Sequence, residues 1–116
     1  MHVVATRDDV HASDQPAPLA FTIGDSAAPT DVLRRAADRT WLPAIAGDRA
    51  TWSIVSNDVL AVLAYEWPDL RLMPFLDERM RAADRRGGVL RLHFNYHAQI
   101  DPELVYRVFW GMRLRA

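Results

Sequence analysis

The 116-residue chain has no cysteine, no lysine, five glycines and three glutamates. Without cysteine there can be no disulfide, thiolate metal ligand or cysteine nucleophile, and no oxidising compartment is needed for folding. Nowhere do eighteen apolar residues run together, and the first residues lack a basic start followed by an apolar stretch. Neither membrane insertion nor secretion is therefore expected, and the cytoplasm is the expected location. All 14 basic residues are arginine and aspartate outnumbers glutamate 12 to 3, a bias of high-GC codon usage that points to a bacterial gene. The net charge of −1 gives no general attraction to nucleic acid, so direct nucleic-acid binding is not expected.

Half of the residues are hydrophobic, enough for one core, and a single domain over 1–116 is expected. Charge is unevenly spread. Residues 1–31 hold five aspartates against Arg7 alone, whereas Arg71, Arg79, Arg81, Arg85, Arg86 and Arg91 outnumber the acids of 69–91. Arg-Ala-Ala-Asp-Arg occurs twice, at 35–39 and 81–85, but its surroundings do not align and no repeat architecture follows.

His2 to Thr6 is compatible with a short strand, yet residues 1–18, which include Pro16 and Pro18, read best as a loop or extended arm. Leu19 to Ile23 is a strand stopped by Gly24-Asp25-Ser26. A helix follows, with Thr30 as N-cap, Asp31 at its positive end, Leu33, Ala36, Ala37, Thr40 and Trp41 on one face, and Pro43 as its stop. Ala50–Ser56 and Val59–Trp67 form a hairpin around Asn57-Asp58, with Trp52 opposite Leu63 and Ile54 opposite Ala61. Leu70 to Met73 reads as a short edge element. A second helix starts at Pro74, buries Phe75, Leu76, Met80 and Ala83, and ends at Gly87.

From Leu90 to Ile100 apolar and polar residues alternate without a break, so Leu92, Phe94 and Tyr96 face a core while Arg91, His93, Asn95, His97 and Gln99 form an outward row. Asp101-Pro102-Glu103 then starts a last helix through capping, a pre-set φ and favourable charge. The architecture expected is α+β, with a mainly antiparallel sheet of four or five strands and three helices in the order β-α-β-β-(β)-α-β-α. The helices should cover one face. The expected core is Phe21, Leu33, Trp41, Trp52, Ile54, Ala61, Leu63, Leu76, Met80, Leu92, Phe94, Tyr96, Leu104 and Val108.

His93 and His97 have the spacing of a helical zinc motif, but on a strand four residues span about 13 Å, too far to share one ion. No metal or other cofactor is expected. No G-x-S-x-G elbow exists, and Gly87-Gly88 ends a helix instead of opening one on a phosphate. Glu66 is a lone carboxylate in a strand pattern. The outward row, together with Trp67 and Trp110 near element ends, suits partner binding better than catalysis.

Trp41-Leu42-Pro43, Ala50-Thr51-Trp52-Ser53-Ile54, Leu60-Ala61-Val62-Leu63-Ala64-Tyr65-Glu66-Trp67 and His97-Ala98-Gln99-Ile100-Asp101-Pro102 together resemble small immunity proteins of bacterial contact-dependent growth inhibition and related polymorphic toxin systems. The similarity spans residues 41 to 110. It implies a non-catalytic cytoplasmic protein that binds and neutralises the toxic C-terminal domain of a cognate effector. Two other readings come from the residues: a self-associating accessory subunit, a homodimer pairing through Tyr106 and Trp110, and a small hydrolase or isomerase using His93 or His97 with Glu66.

Overall fold

The computed structural model describes residues 1–11, 14 and 16–112. Six strands form one mixed sheet in the order β2-β1-β6-β3-β4-β5: β1 His2–Arg7, β2 Leu19–Thr22, β3 Thr51–Ser56, β4 Asp58–Ala64, β5 Arg71–Leu72 and β6 Val89–Tyr96. Neighbours are antiparallel except β1 and β6, which run parallel. The class is thus the expected α+β, with more strands than expected. The additional inner strand is His2–Arg7, whose apolar Val3 and Ala5 lie beside Leu90 and Leu92 and are wholly buried. A sequence too short to announce a strand by itself is held there by β6 on one side and β2 on the other.

The hairpin of β3 and β4 has the register read from the sequence, Trp52 against Leu63 and Ile54 against Ala61. Its turn is tighter than a two-residue loop. Ser56 pairs with Asp58, leaving Asn57 alone at the tip with φ 62°. A bulge absorbs the mismatch: Ile54 faces Ala61 but Val55 faces Val59, so Leu60 is the extra residue. It also explains the burial of β4 on both sides, since Val59 and Val62 serve one face while Leu60, Ala61 and Leu63 serve the other.

Helices α1 Pro29–Ala36 and α2 Leu76–Arg81 pack on the first face, where Val32, Leu33, Ala36 and Met80 join Val3, Trp52, Ile54, Leu92 and Phe94. Helix α3 Pro102–Trp110 lies on the opposite face, with Val105, Tyr106 and Phe109 against Val59, Val62 and Met73. Helices on both faces replace the expected single layer, because the bulged β4 offers apolar side chains in both directions. The helices are also shorter than their sequence patterns. Pro29, not Thr30, opens α1, and α1 closes at Ala36, five residues before Trp41. Phe75 caps α2 in a left-handed conformation and is 66% exposed instead of buried. Leu104 and Val108, expected in the core, stand outside on α3 at 55% and 51% exposed.

Two ion pairs fasten the connections. Arg79 of α2 and Asp58 are buried together, with Nη1 to Oδ1 at 3.1 Å. Nearer the start of the chain, Arg7 grips both oxygens of Asp14, at 2.7 and 3.0 Å, and the Val10 N–H donates to the same carboxylate. These donors hold the Asp14 carboxyl down to about 2, the Arg7 hydrogen bonds contributing most. Unfolded, it titrates near 3.8, so the clamp's stabilisation is complete above that pH and is lost as pH falls towards 2. Thermal melts between pH 5 and pH 2 are expected to show this decline together with that of the other depressed carboxylates, and Asp14→Asn to make it shallower; an unchanged slope in the variant would show that the clamp carries no acid sensitivity.

Candidate functional site

Because α3 covers β4 and no described element lies over β1, β6 and β2 on the same side, part of the second sheet face is open among the described residues. Strand alternation puts Val4 and Thr6 of β1 and Arg91, His93 and Asn95 of β6 there, with Val4 beside Arg91 and Thr6 beside His93. Val55 of β3 lies on the far side of His93. Val4, Thr6, Val55, Arg91 and His93, with Asp84 and Arg86 from the loop after α2, line a groove of about 320 Å³.

His93 sits at the centre of a hydrogen-bonded chain. Its Nε2 is 2.7 Å from Asp8 Oδ1 and its Nδ1 is 2.7 Å from Thr6 Oγ1. Asp8 Oδ2 accepts from the Tyr96 N–H at 2.9 Å. The Asp8 carboxyl is pulled below the usual carboxylate range: its partial burial opposes ionisation, but the Tyr96 N–H and His93 outweigh it. The order is carboxylate, imidazole, hydroxyl, with hydroxyl on Nδ1 and carboxylate on Nε2, the reverse of the serine-hydrolase arrangement. Its evident work is to tie the end of β1 to β6.

The outward row of the sequence reading is cut in two. Arg91, His93 and Asn95 share the open part of the face, whereas His97, next in the alternation, falls where α3 covers it, and Ala98, left-handed at φ 54°, turns the chain away before Gln99. His97 enters the edge of the α3 layer, its Nε2 2.8 Å from Ser53 Oγ and its ring 5.8 Å from that of Phe109. Gln99 reaches back to the Ala46 carbonyl at 3.4 Å. Burial pushes the His97 imidazole below its ordinary 6.5, with Asp8 opposing weakly. A neutral His97 is thus favoured by folding, and its contribution is complete above pH 6.5 and declines as pH falls below it. An NMR titration is expected to place His97 below 6.5 in the folded protein; a midpoint at or above 6.5 would contradict its burial.

Trp67 is half-buried under the Arg71 guanidinium, 3.9 Å above its ring, and Arg71 also donates to Glu103 Oε1 at 2.7 Å, pinning the first turn of α3. Trp110 is 55% exposed at the far end of that helix. Tyr106 turns inward, its hydroxyl donating to the Leu72 carbonyl at 2.8 Å, so of the two residues expected to mediate self-association only Trp110 is exposed. Glu66 pairs with Arg49 at 3.6 Å, whereas His93 and His97 meet Asp8, Thr6 and Ser53, so the His–Glu pair of the hydrolase alternative is not formed among the described residues. Asp8 was hidden from sequence reasoning because only the parallel pairing of distant β1 and β6 brings it there.

The outer side of α3 is the other notable surface. Ile100, Leu104, Val108, Trp110 and Met112 are five of the six large apolar side chains left exposed among the described residues. Leu104 and Val108 lie four residues apart on one stripe of α3, and Met112 follows just beyond the helix end. The inner stripe, Val105 and Phe109 with Tyr106, is already used on the sheet. Among the described residues no cluster of three or more metal-ligating side chains occurs, and no helix is long and apolar enough to cross a membrane. No family model, curated protein or solved structure matches the chain.

Proposed function

We propose that this chain is an immunity-type protein that binds and neutralises the toxic C-terminal domain of a cognate bacterial effector, with the outer face of α3 as the central contact. The observation that carries the binding role is the concentration of exposed apolar side chains between Ile100 and Met112, the other large apolar groups among the described residues being, Phe75 apart, at least partly buried. A patch of this kind, rimmed by Arg107 and Glu103, has the make-up of a protein contact: apolar and aromatic anchors inside, charge at the edge. The resemblance of residues 41–110 to immunity proteins supplies the class of partner.

The test is rescue. The gene should lie directly downstream of one encoding a large effector, and co-production of this protein with that effector's C-terminal domain should restore growth and yield a stable complex. Continued toxicity in cells that hold the folded protein in excess would overturn the reading.

A further inference from the structure

We propose that the groove on the open sheet face is a binding site for a phosphate-bearing small molecule of mononucleotide size, separate from the α3 contact. The inference goes beyond partner neutralisation and needs none of its residues. Its basis is an unbalanced positive charge above an apolar floor. Asp84 contributes a carboxylate to the groove, but Arg86 neutralises it, with Nε 3.0 Å from Oδ1 and Nη2 2.8 Å from Oδ2. Arg86 keeps Nη1 for another acceptor. Asp8 is spent on His93 and the Tyr96 N–H.

Arg91 is different. Its backbone N–H is bonded to the Asp84 carbonyl, which fixes its position, and its guanidinium, although Asp84 feels its charge, has no carboxylate within ion-pair distance among the described residues. A planar fork of N–H donors without an acid matches phosphate oxygens two at a time. Arg86 and Arg91 thus line the groove together with Val4 and Val55, whose apolar side chains offer a surface for an aromatic or otherwise flat body. The volume of about 320 Å³ is at the small end of ligand sites, which suits a mononucleotide and not a polymer. The groove is open along the sheet, so binding requires no rearrangement of the core.

Titrating the full-length protein with adenosine monophosphate, and separately with adenosine and with inorganic phosphate, tests both halves of the site by NMR shifts of Val4, Thr6 and Arg91. Adenosine monophosphate should bind with shifts confined to these residues and their neighbours, phosphate alone more weakly, and adenosine weakest. Arg91→Gln should weaken binding at least about tenfold, the loss expected for a charged hydrogen-bonding pair, while Arg81→Gln, exposed on α2, should not. Equal binding by phosphate alone would overturn the apolar floor. No shifts at millimolar ligand, or shifts unaffected by Arg91→Gln, would overturn the site. Rescue from the toxin is scored independently, so failure here leaves that reading standing, and the reverse also holds.

Discussion

Arg79→Ala is expected to be the most destabilising single substitution in the chain, costing about 3–5 kcal/mol in urea unfolding at neutral pH. Arg79 and Asp58 are 1% and 3% exposed. The guanidinium donates from Nε to the Pro74 carbonyl, from Nη1 to Asp58 and the Val59 carbonyl, and from Nη2 to the Met112 carbonyl. It therefore holds together the start of α2, the tip of the β3–β4 hairpin and the chain just beyond α3. Truncation leaves a buried carboxylate and three carbonyls without this donor, and water has little access to replace it. Against a total stability of roughly 5–15 kcal/mol, that loss removes a large share of the margin that keeps the chain folded. Replacing both charges at once, Arg79→Met with Asp58→Asn, should cost less than Arg79→Ala, because the stranded charge and not the missing attraction dominates. A double variant no more stable than Arg79→Ala would show that the carbonyl contacts carry the effect instead.

Arg79 also marks a limit of reading one sequence. It belongs to the arginine-rich stretch of 69–91, and nothing local distinguishes it from Arg81 two positions on. The difference arises only when the hairpin tip arrives with Asp58. The hairpin itself was legible because alternation and turn residues act over a dozen neighbouring positions, enough to fix the Trp52–Leu63 and Ile54–Ala61 pairs. The candidate site was legible in part, for the same reason: Arg91, His93 and Asn95 follow from strand alternation. Alternation continues to Ile100 in the sequence but not in space: β6 ends at Tyr96, His97 is taken up by Ser53 and Phe109 under α3, and the left-handed Ala98 turns the chain away before Gln99. The acid beside His93 could not be found locally. Asp8 is 85 residues away and is delivered by a parallel pairing that leaves no short-range trace.

Helix α3 departs from its sequence pattern for a different physical reason, and the second large effect follows from it. Leu104, Val105, Val108, Phe109 and Met112 look like one buried side, but the helix has two apolar stripes and the sheet takes only that of Val105 and Phe109, so Leu104 and Val108 remain outside. Substituting both by aspartate should therefore leave the fold nearly intact. Helix propensity falls by roughly 0.6 kcal/mol at each site and no core contact is lost. Binding should respond very differently. Central apolar anchors commonly cost about 2 kcal/mol each when removed, and two carboxylates pressed into an apolar contact add desolvation. A combined loss of about 4 kcal/mol corresponds to roughly a thousandfold weaker complex with the toxin domain, which should abolish rescue at matched expression. Arg81→Gln, on a helix packed against the other face, should rescue as well as the parent chain. The decisive measurement is the dissociation constant of each purified variant for the toxin domain, alongside its melting temperature. A Leu104→Asp/Val108→Asp protein that melts normally and binds within a few-fold of the parent would remove α3 from the contact and return the open sheet face, with Arg91 and Asn95, as the surface to test.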